Sequence, residues 1–324
     1  MIDQEIIRAQ LGNVLTDATL TGLPNHYKGK VRDTYRLDDG RLIIIATDRQ
    51  SAFDKNLAAV PFKGQVLTQT ARYWFDATRE ICANHVIEYP DPNVVVCKNL
   101  DMLPVEMVVR DYMTGSTNTS IWLMYESGKR AMYGVTFPDG LVKNQKLQQT
   151  IFTPTTKAAQ GEHDVPITPA EIVEHGLLSQ ARWDQLAELS LAVFARAREL
   201  AAERGLILVD TKFEFGLDET DAVCLADEIL TPDSSRYWIN ETYEECMAAG
   251  RNPEGLDKEF LRLWISERCD PYKDPIPDIP EDTLVEFSQR YIRLYETVTR
   301  QEFSAETSGE SMLERIRKNL AGYF

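Results

Sequence analysis

The chain has 324 residues, of which 43% are hydrophobic and 27% are charged, so it is long enough to bury a large core or two lobes. Its formal net charge of −16 argues against a general nucleic-acid or anionic-membrane surface, because such surfaces take their affinity from basic patches. A local basic pocket for a small phosphorylated molecule stays compatible with this charge.

The sequence also indicates a cellular location. The five cysteines follow no CxxC spacing, which favours reduced thiols over disulfides or structural zinc. The start of the chain shows no signal peptide, and no apolar run reaches the length of a membrane span. We expect a soluble, cytoplasmic protein that binds neither nucleic acid nor membrane, as a monomer or a small homo-oligomer.

The first part of the chain is typical of antiparallel sheet followed by a helix. Residues 27–35 alternate and are rich in β-forming types, and a turn at 38–40 leads to a second apolar strand at 42–46. The spacing of apolar residues then predicts a helix over 65–83.

The middle of the chain contains a candidate hinge and a candidate loop. Strands are expected at 94–98 and 105–110, and the short connection between them, which ends at Pro104, is a candidate hinge between lobes. Residues 137–168 show weak periodicity, and an irregular segment of this length in a compact domain is typically functional or mobile.

The last part of the chain is predicted to be mainly helical. A long helix over about 180–204 is followed by a strand at 206–210 and a hairpin of 212–216 with 222–225. The remainder is expected to be helical, apart from a proline-rich break at 270–280.

The first cluster of candidate functional residues surrounds a glycine. In Lys28-Gly29-Lys30-Val31-Arg32, the glycine allows the backbone to approach a phosphate, and Lys30 and Arg32 would project from one face of a strand. An exposed basic edge strand that protects against aggregation is the alternative interpretation. The phosphate-loop pattern GxxxxGK[ST] is absent.

The second cluster is a strand with charges at every other position. Asp210, Lys212 and Glu214 would share one face, while the phenylalanines between them point to the other. Buried charges need partners or a metal, and the return strand brings Asp227 opposite, so Glu214 and Asp227 are candidate Mg²⁺ ligands. A solvent-facing, ion-paired strand is the alternative interpretation.

The third cluster joins arginines to small hydroxyl residues. Arg110 precedes a Thr-Gly-Ser loop that ends in Ser116, and Arg236 follows Ser235. Such pairs capture carboxylates or phosphates, although a simple turn and a helix cap would explain them too. Among the four histidines, His163 is the candidate site residue, because it lies in a long polar segment.

Six segments together resemble one enzyme family. KGKVRDTY, ATDRQSAFD, DMLPVEMVVRDYMTGS, IFTPTTKAAQGEHD, VDTKFEFG and ADEILTPDSSRYW occur in the order and approximate spacing of the phosphoribosylaminoimidazole-succinocarboxamide (SAICAR) synthetases. The resemblance spans about residues 20–300 and is closer to the longer branch of the family. It implies an α+β fold, ATP-grasp-like and two-lobed, with antiparallel sheets, nucleotide between the lobes and a helical C-terminal portion. The corresponding division is an ATP-binding lobe over 1–98, a catalytic lobe over 99–235 and a helical region over 236–324.

The resemblance also implies roles for individual residues. The nucleotide would be bound through its phosphates by two cations and through its adenine by the hinge, with one further acidic candidate on the adenine side: Lys30, Arg32, Lys98, Leu100, Met102 and Glu106. The metal ligands would be Glu214 and Asp227. The ribonucleotide would be held by Arg110, Ser116, Ser235 and Arg236. The remaining substrate and aspartate pocket would consist of Asp54, Lys157, His163, Asp210 and Lys212.

The implied reaction joins L-aspartate to a carboxylated aminoimidazole ribonucleotide with ATP and Mg²⁺. ATP phosphorylates the imidazole carboxylate to an acyl phosphate, which the α-amine of aspartate then attacks. Such chemistry needs positioning and charge neutralisation more than a protein nucleophile. Asp210 is the candidate proton acceptor for the amine, with a substrate phosphate as the alternative. Lys30, Arg32, Lys212 and Mg²⁺ would supply positive charge, and Arg110 would fix the attacking carboxylate.

Two other functions fit part of this pattern. A small-molecule kinase would use the same cations and metal carboxylates, but would release ADP without an amine acceptor. A nucleotide sensor without turnover is the non-enzyme alternative. The intact set of Asp210, Lys212, Glu214 and Asp227 argues against a sensor.

Overall fold

The computed structural model describes residues 2–53, 55–157, 165–305 and 309–324. Contacts divide the chain into two compact units. Unit 1 contains Met1–Phe75, His85–Asn99 and Phe260–Phe324, and unit 2 contains Asp76–Asn84 and Leu100–Glu259. The division of the sequence at residues 98 and 235 stays a prediction.

The strands lie mainly before residue 240. In chain order they are β1 (His26–Lys28), β2 (Arg32–Arg36), β3 (Arg41–Ala46), β4 (Arg49–Ala52), β5 (Lys55–Ala59), β6 (Val86–Asp91), β7 (Val94–Lys98), β8 (Asp101–Met102), β9 (Val105–Met113), β10 (Ala131–Met132), β11 (Val135–Thr136), β12 (Gln145–Phe152), β13 (Thr155–Thr156), β14 (Leu206–Leu217), β15 (Val223–Ala226) and β16 (Ser235–Ile239).

The helices dominate the C-terminal part. In chain order they are α1 (Gln4–Ala9), α2 (Lys63–Thr78), α3 (Ile121–Glu126), α4 (Pro169–Glu174), α5 (Gln180–Ala202), α6 (Asn240–Ala248), α7 (Glu259–Ser266), α8 (Glu281–Thr299) and α9 (Met312–Asn319), with a 3₁₀ turn at Ala321–Tyr323. In the part of the chain that the structure describes, no helix is both long and apolar enough to cross a membrane.

Unit 1 is built on a five-stranded antiparallel sheet in the order β1-β2-β3-β7-β6. The C-terminal helix α9 completes its core, because Ile316 and Leu320 are fully buried among apolar residues of β3 and β7. Arg315 fixes this helix through an ion pair with Asp91, whose Oδ2 lies 3.0 Å from Nε. The tail, which carries no recognised motif, is therefore part of the fold of unit 1.

Unit 2 is built on an antiparallel sheet in the order β12-β9-β14-β15, with β8 and β16 also paired with β14 and β13 paired with β9. The twelve-residue strand β14 is its centre. Phe213 and Phe215 are fully buried, as alternation along the strand requires when one face meets the core. The long helix α5 packs against β9 and β14.

The α+β class and the strands at β7 and β9 are confirmed. Three local predictions were wrong. The run 27–35 is split into β1 and β2, because the chain turns at Gly29, whose N–H donates to the Arg32 carbonyl at 2.8 Å. The helix predicted over 65–83 ends at Thr78. The strands expected at 206–210 and 212–216 are one continuous strand.

Several strands were not expected from the sequence, among them β12 and β16. Part of the segment 137–168 forms β12, which pairs with β9, and the region after residue 235 begins with β16, which pairs with β14. Both strands depend on partners that are distant in sequence, so local periodicity does not reveal them.

Candidate functional site

One face of the unit 2 sheet carries a row of ionisable side chains. Strand β14 contributes Asp210, Lys212 and Glu214 at every other position, as alternation predicts. The register pairs Asp210 with Arg110 of β9 on one side and with Arg236 of β16 on the other. The sheet therefore brings together charged residues that lie up to 126 positions apart, from Arg110 to Arg236.

An arginine cluster occupies one end of this row. Nη1 of Arg110 and Nη1 of Arg236 both donate to Oδ2 of Asp210, the latter at 2.6 Å. Arg236 also lies 3.2 Å from Oε2 of Glu259, and Nε of Arg110 donates to the Thr153 hydroxyl at 2.7 Å. Both guanidinium groups are largely buried, so their positions are fixed before any ligand arrives.

The electrostatics of the two arginines differ. Burial lowers the pKa of Arg110, and the attraction of Asp210 offsets only part of this effect. Burial acts on Arg236 in the same direction, but attraction to Asp210, Glu259 and Asp257 raises its pKa above the ordinary value. Asp257 is fully buried, and this desolvation raises its pKa to about 7.

The loop after β9 lies next to the arginine cluster. Gly115 has φ 116°, and a Cβ at this position would lie 2.4 Å from Cβ of Ser120 and 3.6 Å from Nη2 of Arg236. Only glycine fits such a position. Within the described residues, the Ser116 hydroxyl and Nε of Arg236 are buried without a hydrogen-bond partner. A buried hydroxyl and a buried guanidinium N–H that both lack partners there indicate an anion site.

A lysine–glutamate cluster occupies the other end of the row. Nζ of Lys212 donates to both Glu214 and Glu106, to the latter at 2.7 Å. Lys157 donates to the second oxygen of Glu214 at 2.6 Å, and Thr155 donates to the second oxygen of Glu106 at 2.8 Å. Each carboxylate is thus held by two donors.

The charges in this cluster stabilise one another. Burial alone would lower the pKa of Lys212, but attraction to Glu214, Glu106 and Asp227 raises it well above its ordinary value. Burial opposes the ionisation of Glu214, yet Lys212 and Lys157 lower its pKa to about 2. The lysine and the glutamate are therefore both charged at neutral pH.

Glu214 and Asp227 suit a magnesium ion. Glu214 pairs with Ala226, the residue before Asp227, and Asp227 adopts φ 57° at the end of β15. Groups of three or more potential metal-ligating residues are absent from the described part of the chain. Mg²⁺ is commonly bound through one or two carboxylates together with waters and substrate phosphates, so these two side chains are sufficient in number.

The nucleotide-side candidates lie in both units. Lys30 is exposed in the turn between β1 and β2, Arg32 is half-buried at the start of β2, and Lys98 is exposed at the end of β7. In unit 2, Leu100 is buried against Cys224 and Ala226, whereas Met102 pairs with Gly216 and is 36% exposed. A Cβ on Gly216 would lie 2.6 Å from Cβ of Leu100.

Other predicted site residues have varied surroundings. Glu106, assigned to the adenine side, contacts Lys212 and Thr155. The hydroxyl of Ser235 donates to that of Thr211 at 2.7 Å, so Ser235 contributes to the join of β14 and β16. Asp54 and His163 lie outside the described residues.

Sequence reasoning missed several residues that support the site. Thr153 and Thr155 lie within the quoted motif IFTPTTKAAQGEHD, and their alternate spacing was an available signal. Asp257 and Glu259 follow Arg236 by more than twenty residues with no motif. Tyr133, which interacts electrostatically with Arg110, has φ 56°, an unusual conformation for an aromatic residue that the sequence does not signal.

Comparison with known proteins identifies the family. The family model described as SAICAR synthetase matches residues 25–279. A phosphoribosylaminoimidazole-succinocarboxamide synthase of Legionella pneumophila (strain Lens) is 51% identical over 305 residues, which cover 93% of this chain and 97% of that protein.

Solved structures agree. A SAICAR synthase from Saccharomyces cerevisiae complexed with SAICAR has a TM-score of 0.76 and 31% identity, over 90% of this chain and 99% of that chain. A SAICAR synthetase (Type-2) in complex with ADP has a TM-score of 0.66 and 25% identity, over 86% of this chain and 100% of that chain.

Proposed function

The chain belongs to the SAICAR synthetase family, and from this premise we propose which of its residues perform the ligation. The reaction is an ATP-dependent carbon–nitrogen ligation in purine biosynthesis. It consumes L-aspartate, ATP and a carboxylated aminoimidazole ribonucleotide, and it yields SAICAR, ADP and phosphate.

The chemistry has two bond-forming steps. The carboxylate oxygen of the ribonucleotide takes the γ-phosphoryl group from ATP, which makes an acyl phosphate and releases ADP. The aspartate amine then attacks the acyl carbon, loses a proton and displaces phosphate. Both steps require anions to be held in line and their charge to be neutralised, which fixed cationic side chains do well.

The observation that carries the assignment is the charged row on the β9, β14 and β16 face. Arg110, Arg236 and Ser116 bind the phosphate and carboxylate of the ribonucleotide. The proposal is supported by two buried guanidinium groups held by one carboxylate and by two buried donor atoms without partners within the described residues. Ser235 is kept as a substrate-side candidate, although its hydroxyl donates to Thr211.

On the nucleotide side, Lys30 and Arg32 bind the phosphates of ATP. Their support is the cationic turn between β1 and β2 in unit 1, with Lys30 exposed to an incoming anion. Lys98, Leu100 and Met102 bind the adenine through the chain segment from the end of β7 to β8. Glu106 is kept as the acidic candidate on the adenine side, although its contacts join it to Lys212.

Glu214 and Asp227 hold Mg²⁺, and support for this comes from the ionised state of Glu214 and the hard oxygen donors of both residues. The bound ion would supply positive charge to the phosphates. Lys212 lies beside these ligands and places a second positive charge at the same end of the row.

The aspartate pocket is assigned to Asp54, Lys157, His163, Asp210 and Lys212. Asp210 accepts the proton that the amine loses, or a substrate phosphate accepts it instead. The position of Asp210 between Arg110 and Arg236 gives it a further role, because it keeps two like charges adjacent in a buried site.

We also propose a cytoplasmic location, with small-molecule substrates as the partners and a monomer or small homo-oligomer as the working form. The location is supported by five cysteines that are all free thiols, as a reducing compartment favours.

A three-variant panel tests the assignment. Lys30→Met, Glu214→Gln and Arg236→Met should each lower the rate of SAICAR formation by about 10²–10³-fold, as expected for loss of one charge that stabilises the transition state. Binding measurements should separate their roles. Lys30→Met should lower the affinity for ADP, Glu214→Gln the affinity for Mn²⁺, and Arg236→Met the affinity for the ribonucleotide. Wild-type rates in any of the three variants would remove that residue from the site.

A further inference from the structure

Arg49 makes an unusual set of contacts in unit 1. This residue begins β4 and is only 6% exposed. Its Nε donates to the carbonyl of Lys30 at 3.1 Å, and its Nη2 donates to the carbonyl of Gly29 at 3.0 Å. Its Nη1 donates to the carbonyl of Thr16 at 2.8 Å. One buried side chain thus fixes the backbone of two successive residues in the turn between β1 and β2.

Thr47 completes this anchoring. Its hydroxyl and its backbone N–H both donate to the carbonyl of Val31, at 2.7 and 3.0 Å. The carbonyls of Gly29, Lys30 and Val31 are consequently all bound by residues 47–49. Because three successive carbonyls each accept a hydrogen bond from these residues, the turn has little conformational freedom.

A buried carboxylate neutralises Arg49. Oδ1 of Asp33, which is fully buried, accepts from Nη2 of Arg49 at 2.6 Å. The other oxygen accepts from the N–H of Ala18 at 3.2 Å and lies 3.2 Å from Nε2 of His26. A buried guanidinium without such a partner would be strongly destabilising, so the arrangement is specific. A lysine could not make the contacts of Arg49, because an ammonium group lacks the planar fork of N–H donors that a guanidinium has.

We propose that Arg49 and Thr47 are positioning residues for polyphosphate binding, acting through the backbone of the turn that carries Lys30 and Arg32. The inference rests on the proposed assignment of Lys30 and Arg32 to the ATP phosphates. A cationic turn that is ordered before the ligand arrives loses less conformational entropy on binding, and its charges act in a fixed direction. Both residues belong to the motif ATDRQSAFD. In this proposal they fix the backbone of the motif KGKVRDTY, which carries the phosphate-binding side chains.

The test measures ADP and adenosine affinity by calorimetry for wild type and four variants. Arg49→Lys should weaken ADP roughly tenfold, because small displacements of binding groups are costly. Thr47→Val, which keeps the side-chain shape, should weaken ADP about two- to threefold. Adenosine affinity should stay unchanged in both variants, since adenosine has no phosphate to contact the turn.

Two variants serve as references. Thr70→Val is the matched control, because Thr70 is a fully buried threonine of unit 1 whose hydroxyl has no partner within the described residues. It should leave ADP affinity at the wild-type value. Lys30→Met reports on the underlying assignment and should weaken ADP without affecting adenosine.

The outcomes are separable. Unchanged ADP affinity in Lys30→Met would contradict the assignment of the turn to the phosphates, and the inference with it. Weaker ADP in Lys30→Met, combined with wild-type affinity in Arg49→Lys and Thr47→Val, would overturn the inference alone. An equal loss of ADP and adenosine affinity would also overturn it, because it would show a purely structural role. If Arg49→Lys fails to fold, the comparison of Thr47→Val with Thr70→Val decides.

Discussion

Asp210 and Arg236 are joined by a 2.6 Å hydrogen bond across β14 and β16, and the same carboxylate oxygen also accepts a hydrogen bond from Arg110. One carboxylate thus compensates two buried guanidinium groups, with Glu259 as a further partner of Arg236. Local stability and the anion binding that we propose for these arginines therefore depend on the same residue.

Asp210→Asn should impair both properties. Loss of the charge leaves two guanidinium groups under-compensated, which should cost about 3–5 kcal/mol in the free energy of unfolding. The rate of SAICAR formation should fall by about 10²–10³-fold. Asp139→Asn, which changes an exposed aspartate paired with Arg130, is the control and should alter neither property. Urea unfolding and steady-state kinetics measure the two effects, and wild-type values for Asp210→Asn would refute the role.

Lys157 forms an ion pair with Glu214, the carboxylate that we assign to the metal. Its ammonium group lies 2.6 Å from Oε2 of Glu214, so a cation that arrives at Glu214 meets a like charge. Lys157→Met should tighten Mn²⁺ binding without nucleotide about five- to tenfold, after allowance for solvent screening of this partly exposed side chain. Electron paramagnetic resonance of free Mn²⁺ gives the affinity. Lys146→Met changes an exposed lysine nearby in sequence and should have no effect. Weaker Mn²⁺ binding in Lys157→Met would argue against this competition.

Ser116 offers a clean separation of binding from stability. Its buried hydroxyl has no partner within the described residues, so Ser116→Ala should change the free energy of unfolding by less than about 0.5 kcal/mol. The KM for the ribonucleotide should rise about tenfold or more, because hydrogen bonds to charged groups are strong. Ser190→Ala removes another buried hydroxyl without a described partner, and its KM should match wild type. If both serine variants keep the wild-type KM, Ser116 does not contact the substrate.

Asp257 predicts a pH dependence of stability. Burial raises its pKa to about 7 from an ordinary value of 3.8, so the folded state favours the protonated carboxyl. Proton binding by Asp257 therefore stabilises the folded state. This stabilisation is complete at pH values below the ordinary pKa of 3.8 and is lost as the pH rises through about 7. The difference in unfolding free energy between wild type and Asp257→Asn should therefore decrease with rising pH, by up to about 1.4 kcal/mol per unit. Urea titrations from pH 4 to 8 measure it, and parallel curves for the two proteins would contradict the prediction.

Local sequence patterns predicted the strand geometry at the centre of the candidate site. Alternation placed Asp210, Lys212 and Glu214 on one face of β14, because period-two geometry depends on neighbouring residues alone. The start of helix α4 is equally local, because the hydroxyl of its N-cap residue Thr168 accepts a hydrogen bond from the N–H of Glu171 at 3.1 Å in a capping box. Both features are fixed within a few residues.

Features that depend on distant partners were not predictable in this way. Strand β16 exists because it pairs with β14, and β12 because it pairs with β9. Arg49 donates to backbone carbonyls, which every residue type possesses, so no sequence pattern predicts these contacts. Glu259, the partner of Arg236, is the first residue of α7 and lies outside the motif that contains Arg236.

The most direct measurement is ADP release from ATP, Mg²⁺ and the carboxylated aminoimidazole ribonucleotide, with and without L-aspartate. The proposed function predicts ADP release that depends on aspartate, with SAICAR identified by mass, and loss of both in Glu214→Ala. ADP release at the same rate without aspartate would instead indicate a kinase or an uncoupled ATPase. The absence of release from folded protein that still binds ATP would contradict catalysis altogether.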